Sequence, residues 1–218
     1  MPNWITNKIS APKHVILAML NEAGRVDFST IAKFPGPVEF DGIYFDAETA
    51  AEMLCNKPMS SNSMVSNLQR YSRSEVDIKE MADESFGQFI GMLQNFRACG
   101  YLHSMEYARD VWGTKWNACE SSADPEAGTA EFDTAWSCPE GVLVKLSRRF
   151  PGDEIKITYA DKNIGSNCGT FTLKAGESIL SNIAPAWWSM STDDKRKWIS
   201  FACEVTGRDA TEYLEGYE

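Results

Sequence analysis

Apolar and polar residues alternate at the start of the chain, over residues 4–10, with Ile5 and Ile9 on one side. Because successive side chains of a strand point to opposite faces, this pattern predicts a half-buried β-strand. Pro12 follows at a position where a helix tolerates the missing N–H. Apolar residues then recur at helical spacing until Gly24, which predicts an amphipathic helix with the buried stripe Val15, Ile16, Met19, Leu20 and Ala23.

The same two periods return in the second half of the chain. Strands are expected at 115–119, 130–136, 153–160 and 170–173, where apolar residues alternate with polar ones or cluster between turn residues. A helix opened by Pro139 lies between the second and third of these strands. Its inward-facing residues are Val142, Leu143, Leu146 and Phe150.

Together these elements follow the split βαβ order, with one additional strand. We therefore predict the α+β class, with a ferredoxin-like antiparallel sheet built from residues 1–24 and 112–176. In that order two helices cover one face of the sheet, and the other face needs a cover or stays polar.

Residues 25–111 interrupt this order and predict a large, mainly helical insertion. Asp46 is expected to cap a short helix, and the Ser- and Asn-rich residues 58–74 are expected to form an exposed loop. Helical spacing of apolar residues then predicts a long helix over 76–99 and a shorter one over 102–111.

Residues 177–218 predict a C-terminal helical tail whose main helix starts at the Ser, Thr and Asp residues of 191–194. Trp187, Trp188 and Trp198 lie within twelve positions of each other. Burying one Trp stabilises a protein by on the order of 2–3 kcal/mol, so we expect this aromatic helix to pack on the domain's own sheet. The alternative is an interface at Trp187 and Trp188, either in a homodimer or with a partner.

Composition narrows the classes of function. The chain has 218 residues, 31 acidic and 21 basic, for a net charge of −10. Nucleic-acid grooves normally show clustered Lys and Arg, so we expect no direct binding of nucleic acid. No stretch approaches the roughly 20 apolar residues of a membrane span, and the first residues lack the pattern of a signal peptide.

The six cysteines are scattered without a C-x-x-C pair, the spacing that metal sites favour. We therefore expect free thiols in a reducing cytoplasm, with no metal and no other cofactor. The positions are Cys55, Cys99, Cys119, Cys138, Cys168 and Cys203.

Candidate catalytic groups are few. His14 and His103 are the two histidines, and no motif places an orienting group beside either one. Glu131 and Asp133 fall on one strand face and could form an acid–base pair, but a solvated strand face is the better interpretation. The glycines of 165–169 lack the Lys and the strand-to-helix setting of a phosphate loop, so a turn is expected. Trp116, Phe132 and Trp136 could stack on RNA bases, but they are assigned to the buried core.

Five short segments resemble the YubB-like family of phage and plasmid proteins. They are Pro2-Asn-Trp-Ile-Thr-Asn7, Trp112-Gly-Thr-Lys-Trp-Asn117, Phe132-Asp-Thr-Ala-Trp-Ser137, Leu146-Ser-Arg-Arg-Phe-Pro151 and Tyr159-Ala-Asp-Lys-Asn163. The resemblance implies a ferredoxin-like domain and a mobile-element origin. It carries over no catalytic residues, and the chain departs from the family pattern at Cys138, where a Pro-rich pair is expected.

Acidic residues gather in two stretches without basic residues, between Lys33 and Lys57 and between Lys115 and Lys145. Such stretches speed encounters with a basic surface. With the resemblance, they favour an accessory, non-enzymatic inhibitor that docks on a basic host protein of defence or nucleic-acid handling, in the host cytoplasm. An enzyme with a pocket between the sheet and the insertion is the alternative. The candidate docking residues are Glu39, Asp41, Asp46, Glu48, Glu120, Asp124, Glu126, Glu131 and Asp133.

Overall fold

The computed structural model describes residues 2–215, so residues 216–218 of the predicted tail lie outside it. The chain forms two compact units. The sheet unit comprises Met1–Lys33 and Ala108–Glu218, and the helical unit comprises Phe34–Tyr107. Residues 25–33 and 108–111, placed by sequence in the insertion, belong to the sheet unit. There Phe28 packs edge-to-face on Phe132 with ring centroids 5.6 Å apart.

Regular structure alternates along the chain as a ferredoxin-like order requires. The strands are β1 (Trp4–Ser10), β2 (Cys119–Asp124), β3 (Thr129–Ala135), β4 (Glu154–Asp161), β5 (Cys168–Lys174) and β6 (Glu177–Ile183). The α-helices are α1 (Lys13–Leu17), α2 (Phe45–Leu54), α3 (Ser63–Glu75), α4 (Asp83–Cys99), α5 (Ser104–Tyr107), α6 (Glu140–Arg149), α7 (Thr192–Thr206) and α8 (Thr211–Leu214). Short 3₁₀ or π segments lie at Phe28–Thr30, Ala108–Trp112 and Trp187–Ser189.

The six strands form one antiparallel sheet in the order β2-β3-β1-β4-β5-β6. The first strand lies inside it, since Ile5 pairs with Thr134 of β3 and Ile9 pairs with Ile157 of β4. This arrangement confirms the predicted α+β, ferredoxin-like class.

The two faces of the sheet have different covers. On one face the register aligns Ile5, Asn7 and Ile9 with Phe132 and Ile157, and all five are buried. Helices α1 and α6 lie against strands of this layer. On the opposite face α7 packs on β4 and β1, and its buried residues Trp198, Ala202 and Val205 contact Ala160 and Cys168.

Two strand predictions were wrong. Residues 115–119 do not form the second strand, because Asn117 is held in a loop by accepting the Phe28 N–H at 2.9 Å, and β2 begins at Cys119. Residues 177–183 were assigned to a helical tail but form β6, an edge strand. Every residue of β6 is exposed, so backbone pairing with β5 stabilises it, and its side chains show no alternating pattern of burial.

Four further predictions of secondary structure also need correction. Residues 58–74, predicted as a loop, contain most of α3, whose Asn62 side chain caps the first turn by accepting the N–H groups of Met64 and Val65. The long helix begins at Asp83 rather than residue 76, and α1 ends at Leu17. The expected helix over 102–111 is instead α5 followed by a π-helical segment.

The helical unit has a small core of its own. Its buried apolar residues come from α2, α4 and the segment before α5: Ala47, Ala50, Ala51, Phe89, Met92 and Leu102. Asn95 is fully buried beside them, and its amide donates to the carbonyls of Val38 and Leu102 at 2.8 and 2.9 Å. A buried amide with satisfied partners fixes the surrounding segments in one arrangement.

Candidate functional site

The acidic candidates of the helical unit divide into two pairs. Glu39 and Asp41 are exposed in the segment before α2. Asp46 is half-buried and accepts the Ser85 hydroxyl at 2.5 Å, while Glu48 lies 3.0 Å from Nε2 of His103. Asp46 and Glu48 therefore hold the unit together, and Glu39 and Asp41 are the carboxylates presented to solvent.

Most acidic candidates of the sheet unit have intramolecular partners. Glu131 lies 3.7 Å from Lys8, and Glu126 forms an ion pair with Lys13. Asp124 is exposed and accepts the N–H groups of residues 126 and 127, and Glu120 is exposed at the irregular start of β2. These carboxylates follow two strands and the turn between them, and they do not converge on one point.

Asp133 departs most from the sequence-based interpretation. It was placed with Glu131 on a solvated strand face, but only 8% of it is exposed. Its carboxylate accepts the Thr6 hydroxyl at 3.0 Å and pairs with the Lys162 ammonium. Because these groups satisfy it inside the sheet unit, Asp133 is not available to a docking partner.

Acid–base and nucleophilic chemistry find little support in the geometry. His14 is exposed and lies 2.7 Å from Asp153. His103 is buried, and both ring nitrogens are occupied, one by Glu48 and the other by the Glu106 N–H at 3.1 Å. These contacts are structural, and neither histidine is aligned with a nucleophile.

Burial works against thiolate formation at five of the six cysteines. All six are free cysteines. Burial raises the pKa of Cys168 to about 12, with the Asp161 carboxylate adding to the effect. Desolvation is also the main cause of the raised pKa of Cys55, Cys119, Cys138 and Cys203. A reactive cysteine requires the opposite shift. Within residues 2–215, no three His, Cys, Asp or Glu side chains are grouped to hold a metal ion.

A cavity of about 570 Å³ lies over the sheet. Its lining contains two basic residues, Lys8 and Lys156, and two acidic residues, Asp124 and Glu131. The rest of the lining is mainly small and hydroxyl side chains. Since the charges balance and Glu131 pairs with Lys8, this surface favours neither an anion nor a cation.

Two tryptophans assigned to the core lie at the surface instead. Phe132 is fully buried as expected, but Trp116 is 38% exposed and Trp136 is 54% exposed. Trp136 has φ 71°, a left-handed conformation that bulky residues rarely adopt, and Ser137 N–H donates to the Ala135 carbonyl across it at 2.9 Å. Such a conformation costs on the order of 1–3 kcal/mol, so the fold maintains strain to place this indole outward.

Helix α3 carries the clearest binding feature of the helical unit. Its polar side faces the unit: Arg73 donates to Glu52 at 3.3 Å and to the Lys57 carbonyl at 3.0 Å, and Gln69 accepts the Ser60 N–H. Its apolar residues face solvent, with Met64, Val65, Leu68 and Tyr71 between 43% and 71% exposed. We call these four residues the α3 stripe.

The α3 stripe reverses the usual amphipathic arrangement, in which the apolar face is buried. Met64, Leu68 and Tyr71 follow the spacing i, i+4, i+7, so they lie on one side of the helix. The sequence pattern did not reveal them, because the intervening Ser and Asn residues are typical of a loop. The helical spacing within residues 63–75 was the signal that could have identified them.

Solvent-exposed apolar residues concentrate in the helical unit. Of the 19 large apolar residues exposed within the described chain, 12 lie between Tyr44 and Ile90. The unit also contains 11 acidic and 5 basic residues, for a net charge of −6 out of −10 for the whole chain. Exposed apolar patches mark sites for other proteins, so the helical unit is a candidate interaction surface.

The three tryptophans of the C-terminal tail differ in burial. Trp198 is 4% exposed and packs in the layer between α7 and the sheet. Trp187 is half-buried at the edge of that layer, and Trp188 is 87% exposed. The expected docking therefore applies to Trp198 and in part to Trp187, while Trp188 lies in solvent. Within residues 2–215, the helices are too short or too polar to cross a membrane.

A comparison with protein-family models finds a match over part of the sheet unit. Residues 111–201 match the family model described as the ferredoxin-like domain in Api92-like protein. That segment includes β2 to β6, α6 and the first part of α7. The match agrees with the fold class, and it assigns no catalytic or ligand-binding residues.

Among solved structures, the chain matches the crystal structure of a protein api92 from Yersinia pseudotuberculosis. It is 11% identical, and the alignment covers 85% of this chain and 99% of that one with a TM-score of 0.38. No curated protein matches the sequence.

Proposed function

We propose that the protein is an accessory binding protein of the YubB-like type from a phage or plasmid. It acts in the host cytoplasm as a non-enzymatic inhibitor of a defence or nucleic-acid-handling protein. The helical unit provides the docking surface, and the partner combines a basic surface with an apolar groove. The outward-facing α3 stripe is the observation that carries this proposal.

Hydrophobic burial supports a docking role for the stripe. Met64, Leu68 and Tyr71 are 71%, 60% and 66% exposed. Fully burying a side chain of this size stabilises a complex by roughly 1.5–3 kcal/mol relative to leaving it in water. Three such side chains on one side of a helix suit the binding mode in which an amphipathic helix enters an apolar groove.

Electrostatics indicate the sign of the partner. The helical unit has a net charge of −6, and Glu39 and Asp41 are exposed carboxylates within it. Complementary charge accelerates association and excludes acidic proteins from the same surface. The partner is therefore expected to be basic, as proteins that handle nucleic acid are.

The experiment is a comparative capture from host lysate with the full chain and two point variants. Leu68→Glu places a charge in the α3 stripe. Leu180→Glu is the matched control, because Leu180 is a 69% exposed leucine of β6 in the sheet unit. The proposal expects a stoichiometric, basic partner that is retained by the wild type and by Leu180→Glu and is lost by Leu68→Glu.

Salt and charge variants complete the test. Exposed charge pairs weaken at ionic strengths where the Debye length falls to a few ångströms, so binding of the purified partner should decrease between about 0.1 and 1 M salt. Replacing Glu39 and Asp41 with their amides should slow association at low salt and leave dissociation nearly unchanged. A captured partner that is acidic, or one retained equally by Leu68→Glu, would exclude the proposed surface.

A further inference from the structure

Trp136 lies at one end of the sheet, where β1 begins and β3 ends. Its indole is 54% exposed although its backbone is held on both sides. The Trp136 N–H donates to the Asn3 carbonyl at 2.8 Å, and Thr114 Oγ1 donates to the Ala135 carbonyl at 2.9 Å. Thr134 Oγ1 donates to the Ser137 carbonyl at 2.7 Å. These hydrogen bonds thus fix the strained backbone of Trp136, although its ring is only partly buried.

A cavity of about 380 Å³ adjoins this ring. Its lining includes Arg109 and Lys115 and contains no acidic residue. It therefore offers a local positive potential next to an exposed aromatic face.

More aromatic surface and a second cavity adjoin the same end of the sheet. Trp116 lies beside Trp4 with ring centroids 6.3 Å apart, and the Lys115 ammonium lies 4.9 Å from the Trp116 ring centroid. A cavity of about 510 Å³ includes Trp4, Lys162 and Arg208 in its lining, together with the acidic residue Asp161. The combination of indoles and cations is one that recognises a planar base attached to a phosphate.

We propose that the cavity beside Trp136 binds an aromatic anion of the mononucleotide class. The base stacks on the exposed indole of Trp136, and the phosphate lies near Arg109 and Lys115. This site lies in the sheet unit and is independent of the α3 stripe. The two proposals can therefore fail separately.

Calorimetric titration of the full chain with AMP and UMP at low ionic strength tests the site. Binding is expected to be lowered about tenfold by Trp136→Ala, because a stacked base loses its platform. Lys115→Gln should weaken binding severalfold and reduce its salt dependence. Trp136→Phe keeps an aromatic face and should retain most of the affinity.

Three controls separate the components of the site. Trp188→Ala removes an 87% exposed indole elsewhere in the unit and should leave binding unchanged. Adenosine lacks the phosphate and inorganic phosphate lacks the base, so each should bind at least about tenfold more weakly than AMP. The proposal is overturned if AMP and UMP show no binding at millimolar concentration. It is also overturned if folded Trp136→Ala binds them as the wild type does, or if only an oligonucleotide binds.

Discussion

The hydroxyl of Thr6 donates to the carboxylate of Asp133 across the β1–β3 pair, with 3.0 Å between Oγ1 and Oδ1. Both residues are buried, with 5% and 8% of their surface exposed. Lys162, which follows β4, also forms an ion pair with Asp133, and its side chain is 38% exposed. The alternation of side chains predicts that Asp133 points to solvent. Its side chain instead forms a buried hydrogen bond between neighbouring strands.

Asp133→Ala should destabilise the protein by about 1–3 kcal/mol, because the Thr6 hydroxyl remains buried without its acceptor. Urea denaturation measures the change in the free energy of unfolding. Thr6→Val in the same background should cost much less than it does in the wild type, since the two residues share one interaction. Asp41→Ala, at an exposed carboxylate outside the helices, is the control and should change stability little. Additive effects of Thr6→Val and Asp133→Ala would contradict the coupling.

Trp136→Gly should be more stable than Trp136→Ala by about 1 kcal/mol. The two variants lack the same indole, and they differ in the Cβ that makes φ 71° unfavourable. In an ordinary extended or helical position the alanine variant would be the more stable one. Thermal unfolding of the pair gives the sign directly, and a more stable alanine variant would show that the turn is unstrained.

Trp198→Ala should lower the free energy of unfolding by about 3–5 kcal/mol, because it empties a buried site between α7 and the sheet. Trp188→Ala should stay within about 0.5 kcal/mol of the wild type, since its ring lies in solvent. Guanidinium denaturation of both variants compares them under one condition. If Trp188→Ala were the more damaging change, the exposed ring would have to be buried in an assembly in solution.

Asp27 gives a prediction for acid stability. Burial alone would raise its pKa, but hydrogen bonds from Asn117 and Ser29 outweigh burial and lower the pKa below the ordinary value of 3.8. A carboxyl with a lowered folded pKa stabilises the protein above its unfolded pKa, and the contribution is lost as pH falls through the folded value. Asp27→Ala should therefore cost about 1–2 kcal/mol at neutral pH, where Asp27 caps the Phe28–Thr30 turn.

The difference between Asp27→Ala and the wild type should shrink as the pH falls below about 3.8, and it should be constant between about pH 6 and 7. Denaturation at a series of pH values tests this dependence. Asp41→Asn removes one exposed negative charge and controls for the change in net charge. A difference that grows on acidification would contradict the assigned direction of the pKa.

The fold class follows from patterns within short segments of the sequence. Local sequence patterns predict three of its elements. These are the strand with Ile5 and Ile9, the helix that starts near Pro139 and the strand around Ile157. Each of these segments buries one face, so its apolar spacing shows directly in the sequence. For the same reason, the apolar spacing that includes Trp198 predicted the buried face of α7.

Elements without a buried face could be located only from tertiary contacts. Strand β6 is exposed along its whole length, and its existence depends on backbone hydrogen bonds with β5. Helix α3 buries none of its residues and attaches through Arg73 and Gln69, so its Ser and Asn content predicted a loop.

The candidate sites also depended on distant parts of the chain. Asp133 is buried because Thr6 and Lys162 approach it from other strands and loops, 127 and 29 positions away. The outward indole of Trp136 depends on a backbone conformation held by Asn3 and Thr114. Spacing along one segment carries no information on such partners, because hydrogen bonds between remote residues form only when the sheet has assembled.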